Sequence, residues 1–240
     1  MARTFIKNLN EISIKDFDTV GGKNSSLGEM ISNLSELGVN VPGGFAITSS
    51  AFDEFLSSSK IDKVISKELA NLNVENLSDL RRVGKKLRGL ILKTPLPQNL
   101  ISEIEHAWLG VSQSGKSFAV RSSATAEDLP DASFAGQQET FLNIDGFDNL
   151  IDAVRKVYAS LFTDRAISYR RLRNFKGSLS ISVGVQEMVR SDIGSSGVAF
   201  TLDTESGYRG SIFITSSYGL GEGIVQGTVN PDEFYVFKRA

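Results

Sequence analysis

The sequence contains no cysteine, one histidine and little excess of charge of either sign. Without cysteine there can be no disulfide, no thiolate metal site and no cysteine nucleophile. Because His106 is the single histidine, a histidine-rich metal site is excluded and a serine–histidine triad would have to use that residue. The formal net charge of −2 gives no electrostatic reason to expect a nucleic-acid partner. Any anion that the chain binds must therefore be held by a local group of cations.

Long apolar runs are also missing. A membrane-spanning helix needs about 18 consecutive apolar residues, and no stretch of the sequence approaches this length. The first residues also lack the apolar core of a signal peptide. Apolar residues make up 40% of the chain and charged residues 22%, which is typical of a folded globular protein. We therefore expect a cytoplasmic protein with no membrane partner.

The pattern of apolar residues changes along the 240-residue chain, from a helix-rich part over about 1–115 to a strand-rich part over about 116–240. Helical spacing predicts helices over 27–37, 50–56, 60–72, 77–93, 98–109 and 147–174. Short apolar or alternating runs predict strands over 4–6, 118–120, 140–144, 181–189, 197–202, 211–217 and 233–237, and residues 41–48 are predicted to form a turn and a short strand. Helices followed by strands favour an α+β fold, here one domain with two lobes.

A glycine turn, Gly21-Gly22-Lys23, stands at the start of a predicted helix. Small residues expose backbone N–H groups, a helix N-terminus favours an anion, and the lysine adds a positive charge. The turn is not a P-loop, because Phe17 stands where that motif has its first glycine and Asn24 replaces its Ser or Thr. Phosphate binding and simple helix capping both remain open from the pattern alone.

Arg121 follows the predicted buried strand and opens a long loop of small and polar residues over 122–138. An arginine at the end of a buried strand suits bidentate recognition of an anion. The alternative is an ion pair with an acidic residue of the loop. These acidic residues are Glu127, Asp128 and Asp131.

Several long segments, taken together, resemble the phosphoenolpyruvate synthase family. They are residues 20–30, 121–140, 161–170, 186–192 and 229–235. The resemblance runs through nearly the whole chain and implies an ATP-grasp-like, two-lobed fold that holds ATP between its lobes. Pyruvate, phosphate dikinases carry a methionine-rich M-P-G-M-M-D-T where this chain has residues 134–140. Rifampicin phosphotransferases are closer in that loop, but residues 230–234 are more similar to the synthases.

The resemblance also implies roles for particular residues. Lys23 and Arg121 would contact the ATP phosphates as catalytic residues, and the loop around Gly136 and Thr140 would close over them. The adenine would be held through backbone groups in the last segment of the strand predicted over 181–189, and apolar side chains there would line its pocket. That segment consists of Gln186, Glu187, Met188 and Val189.

In function, the resemblance implies the ATP-binding part of a pyruvate, water dikinase. The full-length parent would phosphorylate pyruvate through a phosphohistidine on a later domain, with release of AMP, and a homodimeric parent is a further expectation. The Mg²⁺ ligands of the family would lie beyond Ala240, so we expect the ATP-binding domain to be truncated at its C-terminal end, without metal ligands of its own and inactive alone. Two alternatives remain: a rifampicin phosphotransferase-like dikinase, and a standalone nucleotide-binding module without catalysis.

Overall fold

The structure of the protein is a computed structural model. It describes residues 4–112, 115–124, 128–129, 132–133, 139–173 and 180–238. The chain forms two compact units, the first ending at Met188 and the second beginning at Val189.

The first unit is built around a five-stranded antiparallel sheet. Its strands are β1 (Ile6–Asn8), β2 (Gly44–Ile47), β3 (Phe118–Ala124), β6 (Thr140–Ile144) and β7 (Ile181–Glu187), in the order β1-β2-β7-β3-β6. A separate two-stranded pair is formed by β4 (Asp128–Leu129) and β5 (Ala132–Ser133). β7 and β3 lie next to each other inside the sheet, so both have neighbours on either side.

Helices cover both faces of this sheet. They are α1 (Phe17–Leu34), α2 (Ser49–Ser58), α3 (Asp62–Ala70), α4 (Leu77–Lys93), α5 (Gln98–Val111), α6 (Phe147–Ser160) and α7 (Asp164–Leu172). α4 begins where the Asn76 side chain accepts hydrogen bonds from the backbone N–H groups of Ser78 and Asp79, which is a typical N-cap. Thr163 caps α7 in the same way, through the N–H of Ala166.

The main core lies on the sheet face that carries Ile181, Val183 and Val185 of β7, all of which are fully buried. Fully buried side chains of α2 and α4 pack into the same cluster, among them Phe52 and Leu87. The opposite face is covered by α1, with a smaller apolar cluster that includes Val20 of α1 and Ala46 of β2. Because successive side chains of a strand point to opposite faces, the two clusters belong to opposite sides of one sheet.

The second unit is a three-stranded antiparallel sheet in the order β10-β9-β8. Its strands are β8 (Ser195–Phe200), β9 (Ser211–Tyr218) and β10 (Asp232–Phe237), and a short helix, α8, spans Glu222–Val225. Phe200, Phe213 and Tyr235 form a row of ring contacts across the three strands. All six residues of β10 are exposed.

The mixture of helices and antiparallel sheets agrees with the α+β expectation at this level of description, and the predicted helix over Leu77–Lys93 is confirmed residue for residue. Several predicted boundaries were wrong, including that of β8, which lies over Ser195–Phe200 rather than 197–202, and those of three strands in the first unit. The first strand lies over Ile6–Asn8 rather than 4–6, and β7 ends at Glu187 rather than at 189. β3 continues to Ala124, into the predicted loop, because Ser122 and Ser123 pair with β7.

The start of α1 also differs from the expectation. The helix begins at Phe17, before the glycine turn, and Gly21 interrupts it with non-helical dihedral angles. The interruption therefore lies inside the element, and the helical pattern that follows the turn is its second part. No helix among the described residues is both long enough and apolar enough to cross a membrane.

Candidate functional site

The glycine turn lies directly against strand β3. Gly21 has φ of 73°, in the left-handed region that favours glycine, and a Cβ at this position would lie 2.3 Å from the backbone oxygen of Ser123. Any side chain would therefore both strain the backbone and push the turn off the strand. Gly22 is buried, whereas Lys23 is exposed. The turn thus holds an exposed lysine at a point where a helix starts again, beside the strand that carries Arg121.

Arg121 lies in β3, paired with Gly184 of β7 on one side and with Thr140 of β6 on the other. Its Nη2 donates a hydrogen bond to Oε1 of Gln186. Gln186 is only 6% exposed, and its Nε2 donates to the backbone oxygen of Pro42 at 3.0 Å. The arginine is therefore held by a side chain that is itself fixed to the backbone of the unit.

No carboxylate among the described residues forms an ion pair with Arg121, and burial lowers the pKa of its guanidinium. A neutral amide satisfies one donor but does not offset the positive charge. Burying such a charge is costly unless an anion or further acceptors complete it. The site therefore combines a fixed, partly buried cation with donors that an anionic ligand could use.

The side chains of this site share one face of the sheet. Arg121 and Ser123 are two positions apart in β3, and Ser182, Gly184 and Gln186 recur at the same spacing in β7. Residues that are two apart in a strand point to the same face. This face is polar, while the intervening residues of β7 form the apolar core on the other side. One strand thus supports the core and the site at the same time.

The segment predicted to hold adenine begins at the end of β7. The backbone N–H of Glu187 donates to the oxygen of Gly43 at 3.0 Å, and that of Met188 donates to the oxygen of Ser117 at 2.9 Å. Val189, which is 65% exposed, is the first residue of the second unit. Two backbone donors of the segment are therefore already used within the first unit.

Comparison with known proteins places the chain in a family. Residues 17–240 match the family model described as pyruvate phosphate dikinase, AMP/ATP-binding domain. The chain belongs to this dikinase domain family.

Curated relatives of the dikinase domain are similar over nearly the whole chain. Phosphoenolpyruvate synthase of Neisseria meningitidis serogroup B is 58% identical, over 99% of this chain and 31% of the relative. Phosphoenolpyruvate synthase of Escherichia coli K12 is 53% identical over 95% of this chain and 29% of the relative, and that of Aquifex aeolicus is 51% identical over 96% and 28%. The chain thus spans about 30% of the length of the curated relatives that it matches.

The structure brings some of the predicted site residues of this dikinase domain close together. Arg121 pairs with Thr140 in strand register and bonds to Gln186, and the turn that carries Lys23 packs two residues further along β3. Thr140 is exposed. Gly136 lies outside the described residues. The same holds for Glu127, Asp131 and the side chain of Asp128, the ion-pair partners considered for Arg121.

Sequence reasoning missed the side-chain role of Gln186 and a buried polar group beneath the turn. This group consists of Asn24, Ser123, Ser182 and Gly184. The signal that could have indicated it is the strict alternation of apolar and small or polar residues from Ile181 to Gln186. Such a pattern predicts a strand with two different faces, whereas a continuous buried run does not.

The acidic side chains show no arrangement that would hold a metal. Within the described ranges, no group of three or more His, Asp or Glu side chains is close enough to bind an ion together. Mg²⁺ prefers several oxygen ligands, usually including one or two carboxylates. The described residues therefore do not fit a Mg²⁺ site by themselves.

Proposed function

We propose that this chain is the ATP-binding part of a pyruvate, water dikinase. The complete enzyme would convert pyruvate, ATP and water to phosphoenolpyruvate, AMP and phosphate, through a phosphohistidine on a domain outside this chain. The proposal is supported by the AMP/ATP-binding description of the family and by the name phosphoenolpyruvate synthase that its relatives carry. We further propose an ATP-grasp-like arrangement, in which ATP lies between two lobes.

Arg121 is the observation that carries this proposal. Its guanidinium is held by Gln186, is partly buried, and has no carboxylate partner among the described residues, so its positive charge is available to bind an anion. The ATP phosphates supply several oxygens that can accept paired hydrogen bonds from its planar donors. Because phosphoryl transfer depends mainly on positioning and on neutralising charge, such a cation would both bind and activate the nucleotide.

Lys23 would add a second positive charge from the glycine turn. The turn approaches β3 so closely that Gly21 has no room for a side chain, and the exposed lysine follows two residues later. A lysine acts as a flexible point charge on phosphate, whereas the arginine provides fixed geometry. The two residues would therefore bind neighbouring phosphate oxygens in different ways. Gly136 and Thr140 would close over them.

The adenine would lie against the segment from Gln186 to Val189. Since the N–H groups of Glu187 and Met188 already donate to protein oxygens, the base would have to use carbonyl oxygens or another N–H of the segment. Apolar side chains such as those of Met188 and Val189 would contact its faces.

The described residues supply neither a Mg²⁺ site nor a recognisable pyruvate site, and in this proposal other parts of the complete enzyme would provide both. Pyruvate would bind to a domain that is absent from these 240 residues, and the full-length parent would be a cytoplasmic homodimer. The chain alone should therefore bind ATP without forming phosphoenolpyruvate.

Titration of ATP into the 240-residue chain tests the binding step. Arg121→Met should weaken ATP binding by at least about tenfold, because a charged hydrogen bond contributes about 1.5–3 kcal/mol and each 1.4 kcal/mol is about tenfold. Arg81→Met is the matched control, since Arg81 is exposed on α4 and outside the site. Equal ATP affinity in both variants and the wild-type chain, or no ATP binding by the wild type, would contradict the proposal.

A turnover assay tests the proposed dikinase reaction of the complete enzyme. The complete protein should release AMP when given ATP, pyruvate and Mg²⁺, and Arg121→Ala in it should lower turnover on the order of a thousandfold. The isolated chain should form no phosphoenolpyruvate. Formation of the product by the isolated chain would show that the later domains are not required.

A further inference from the structure

Beneath the glycine turn, Asn24 is almost completely buried, with 2% of its surface exposed. Its Nδ2 donates to the backbone oxygen of Val20, one helical turn earlier, and to Oγ of Ser182 in β7, both at 3.1 Å. The first bond lies within α1, whereas the second joins the helix to the sheet. Asn24 immediately follows Lys23, so this connection is made at the turn itself.

Gly184 provides the space for this side chain. A Cβ on Gly184 would lie 2.3 Å from Oδ1 of Asn24, a distance that real Cβ atoms do not show. The backbone of Gly184 is not in the left-handed region, so its conformation does not require glycine. The requirement comes from the neighbouring asparagine, and Gly184 is also the residue that pairs with Arg121.

Two serines extend the connection across the sheet. Oγ of Ser123 accepts the backbone N–H of Asn24 at 3.2 Å, and Oγ of Ser182 donates to the backbone oxygen of Ile47 at 2.7 Å. The turn is thereby fixed to three adjacent strands, β3, β7 and β2. Ser123 lies two residues from Arg121, on the same face.

We propose that Asn24 and Gly184 form a lock that positions the Lys23 turn relative to Arg121 for binding nucleotide phosphate. Asn24 acts as a positioning residue and does not touch the ligand. This proposal rests on the proposed function and deepens it, because it explains how two cations from distant parts of the chain share one anion. In a P-loop the corresponding Ser or Thr binds Mg²⁺, whereas here the side chain is directed into the sheet.

Asparagine suits this position chemically. Its amide supplies two donor hydrogens, which match the two acceptors on Val20 and Ser182. Aspartate at position 24 would bury a negative charge and could not donate to the oxygens of Val20 and Ser182. Alanine would leave both of these oxygens without the hydrogen bond from residue 24. A merely space-filling role would require neither hydrogen bond.

Three variants separate positioning from packing: Asn24→Ala, Gly184→Ala and the double variant. Each single change should destabilise the chain, the first by lost bonds and the second by the close approach to Oδ1. The double variant should lose less stability than the sum, because shortening residue 24 removes the clash. ATP affinity should nevertheless stay at least about tenfold below wild type in the double variant. If the double variant regained both wild-type ATP affinity and stability, Asn24 would have only a packing role and the proposal would be wrong.

Asn33→Ala is the matched control. Asn33 is an exposed residue of the same helix, and its Nδ2 donates to the backbone oxygen of Glu29 four residues earlier, as Asn24 does to Val20. It makes no bond to the sheet that the structure describes. Asn33→Ala should leave ATP affinity unchanged, and an equal loss in both variants would overturn the lock.

A readout without nucleotide keeps the two proposals apart. In Asn24→Ala, the NMR order parameters of the Gly22 and Lys23 amides should fall from about 0.85 toward about 0.6, while those of Val183 and Val185 stay high. Unchanged values would overturn the lock even if ATP binds. Loss of order at the turn, combined with no effect of Arg121→Met on ATP affinity, would retain the lock and reject the proposed function.

Discussion

Strands β7 and β10 have similar hydrogen-bonded lengths but opposite surroundings. The six residues from Ile181 to Gln186 in β7 are all buried, because helices cover both faces of the five-stranded sheet. The six residues of β10 are all exposed, although they include four apolar or aromatic side chains. Regular strand pairing alone therefore does not make a strand part of a core. Whether a strand is buried depends on whether helices pack on both faces of its sheet.

This difference explains where the candidate site lies. Arg121 and Gln186 can be held in fixed positions because their strands are packed on both sides, and a fixed cation is what phosphate recognition requires. In the second unit, Ser211 is the one buried residue among those described. Its three strands depend on backbone pairing and on the contacts of Phe213 with Phe200 and Tyr235.

The largest test of this comparison exchanges one phenylalanine in each unit for alanine. Phe45→Ala in β2 removes a fully buried ring and should cost about 3–5 kcal/mol of unfolding free energy, as buried phenylalanines typically do. Phe237→Ala in β10 removes a ring that is 74% exposed and should cost less than about 0.5 kcal/mol. Urea unfolding measures both. Similar losses would mean that β10 is covered in solution.

A smaller effect is expected at two glycines. In α4, a Cβ on Gly89 would meet nothing within 4 Å, so Gly89→Ala should stabilise the chain by about 0.5–1 kcal/mol through helix propensity. In β8, a Cβ on Gly197 would lie 2.3 Å from the oxygen of Thr215, so Gly197→Ala should destabilise the second unit. Thermal unfolding measures whether each variant is more or less stable than the wild type. A stabilising effect of Gly197→Ala would contradict the close packing of β8 against β9.

The smallest effect concerns acid titration. A hydrogen bond from Lys7, together with the backbone N–H of Ser13, lowers the pKa of Asp16 below its ordinary value of 3.8. A lowered folded pKa means that this carboxylate stabilises the protein fully above about pH 4, and that the contribution is lost as the pH falls through the folded value. Asp16→Asn should cost no more than about 1 kcal/mol at pH 7, and less below pH 3.

Asp192→Asn is the matched change in the second unit. Its carboxylate also has a lowered pKa, through hydrogen bonds from Arg190, but that pair is exposed to solvent. We expect no measurable change in stability between pH 3 and pH 7. The comparison of Asp16 with Asp192 would fail if both variants showed the same pH dependence of unfolding.

Some elements could be predicted because their signals are local. The helix over Leu77–Lys93 has a cap residue and a regular apolar spacing, and both depend on neighbours within a few positions. The glycine turn and Arg121 were also visible as unusual residues beside predicted elements. The extension of β3 to Ala124 could not be predicted, because a run of small polar residues is typical of a loop and only its pairing with β7 makes it a strand.

The sequence by itself determined the chemical inventory: no thiol, one histidine, a lysine in a glycine turn, an arginine directly after the apolar run 118–120, and alternating apolar and small or polar residues over 181–186. Only the tertiary structure decided which of these residues meet. Asn24 and Ser182 are 158 positions apart, and Arg121 and Gln186 are 65 apart, yet each pair shares a hydrogen bond. The reason is that the alternating pattern of a strand specifies which side chains share a face, whereas the choice of neighbouring strand depends on contacts between segments that are far apart in the sequence.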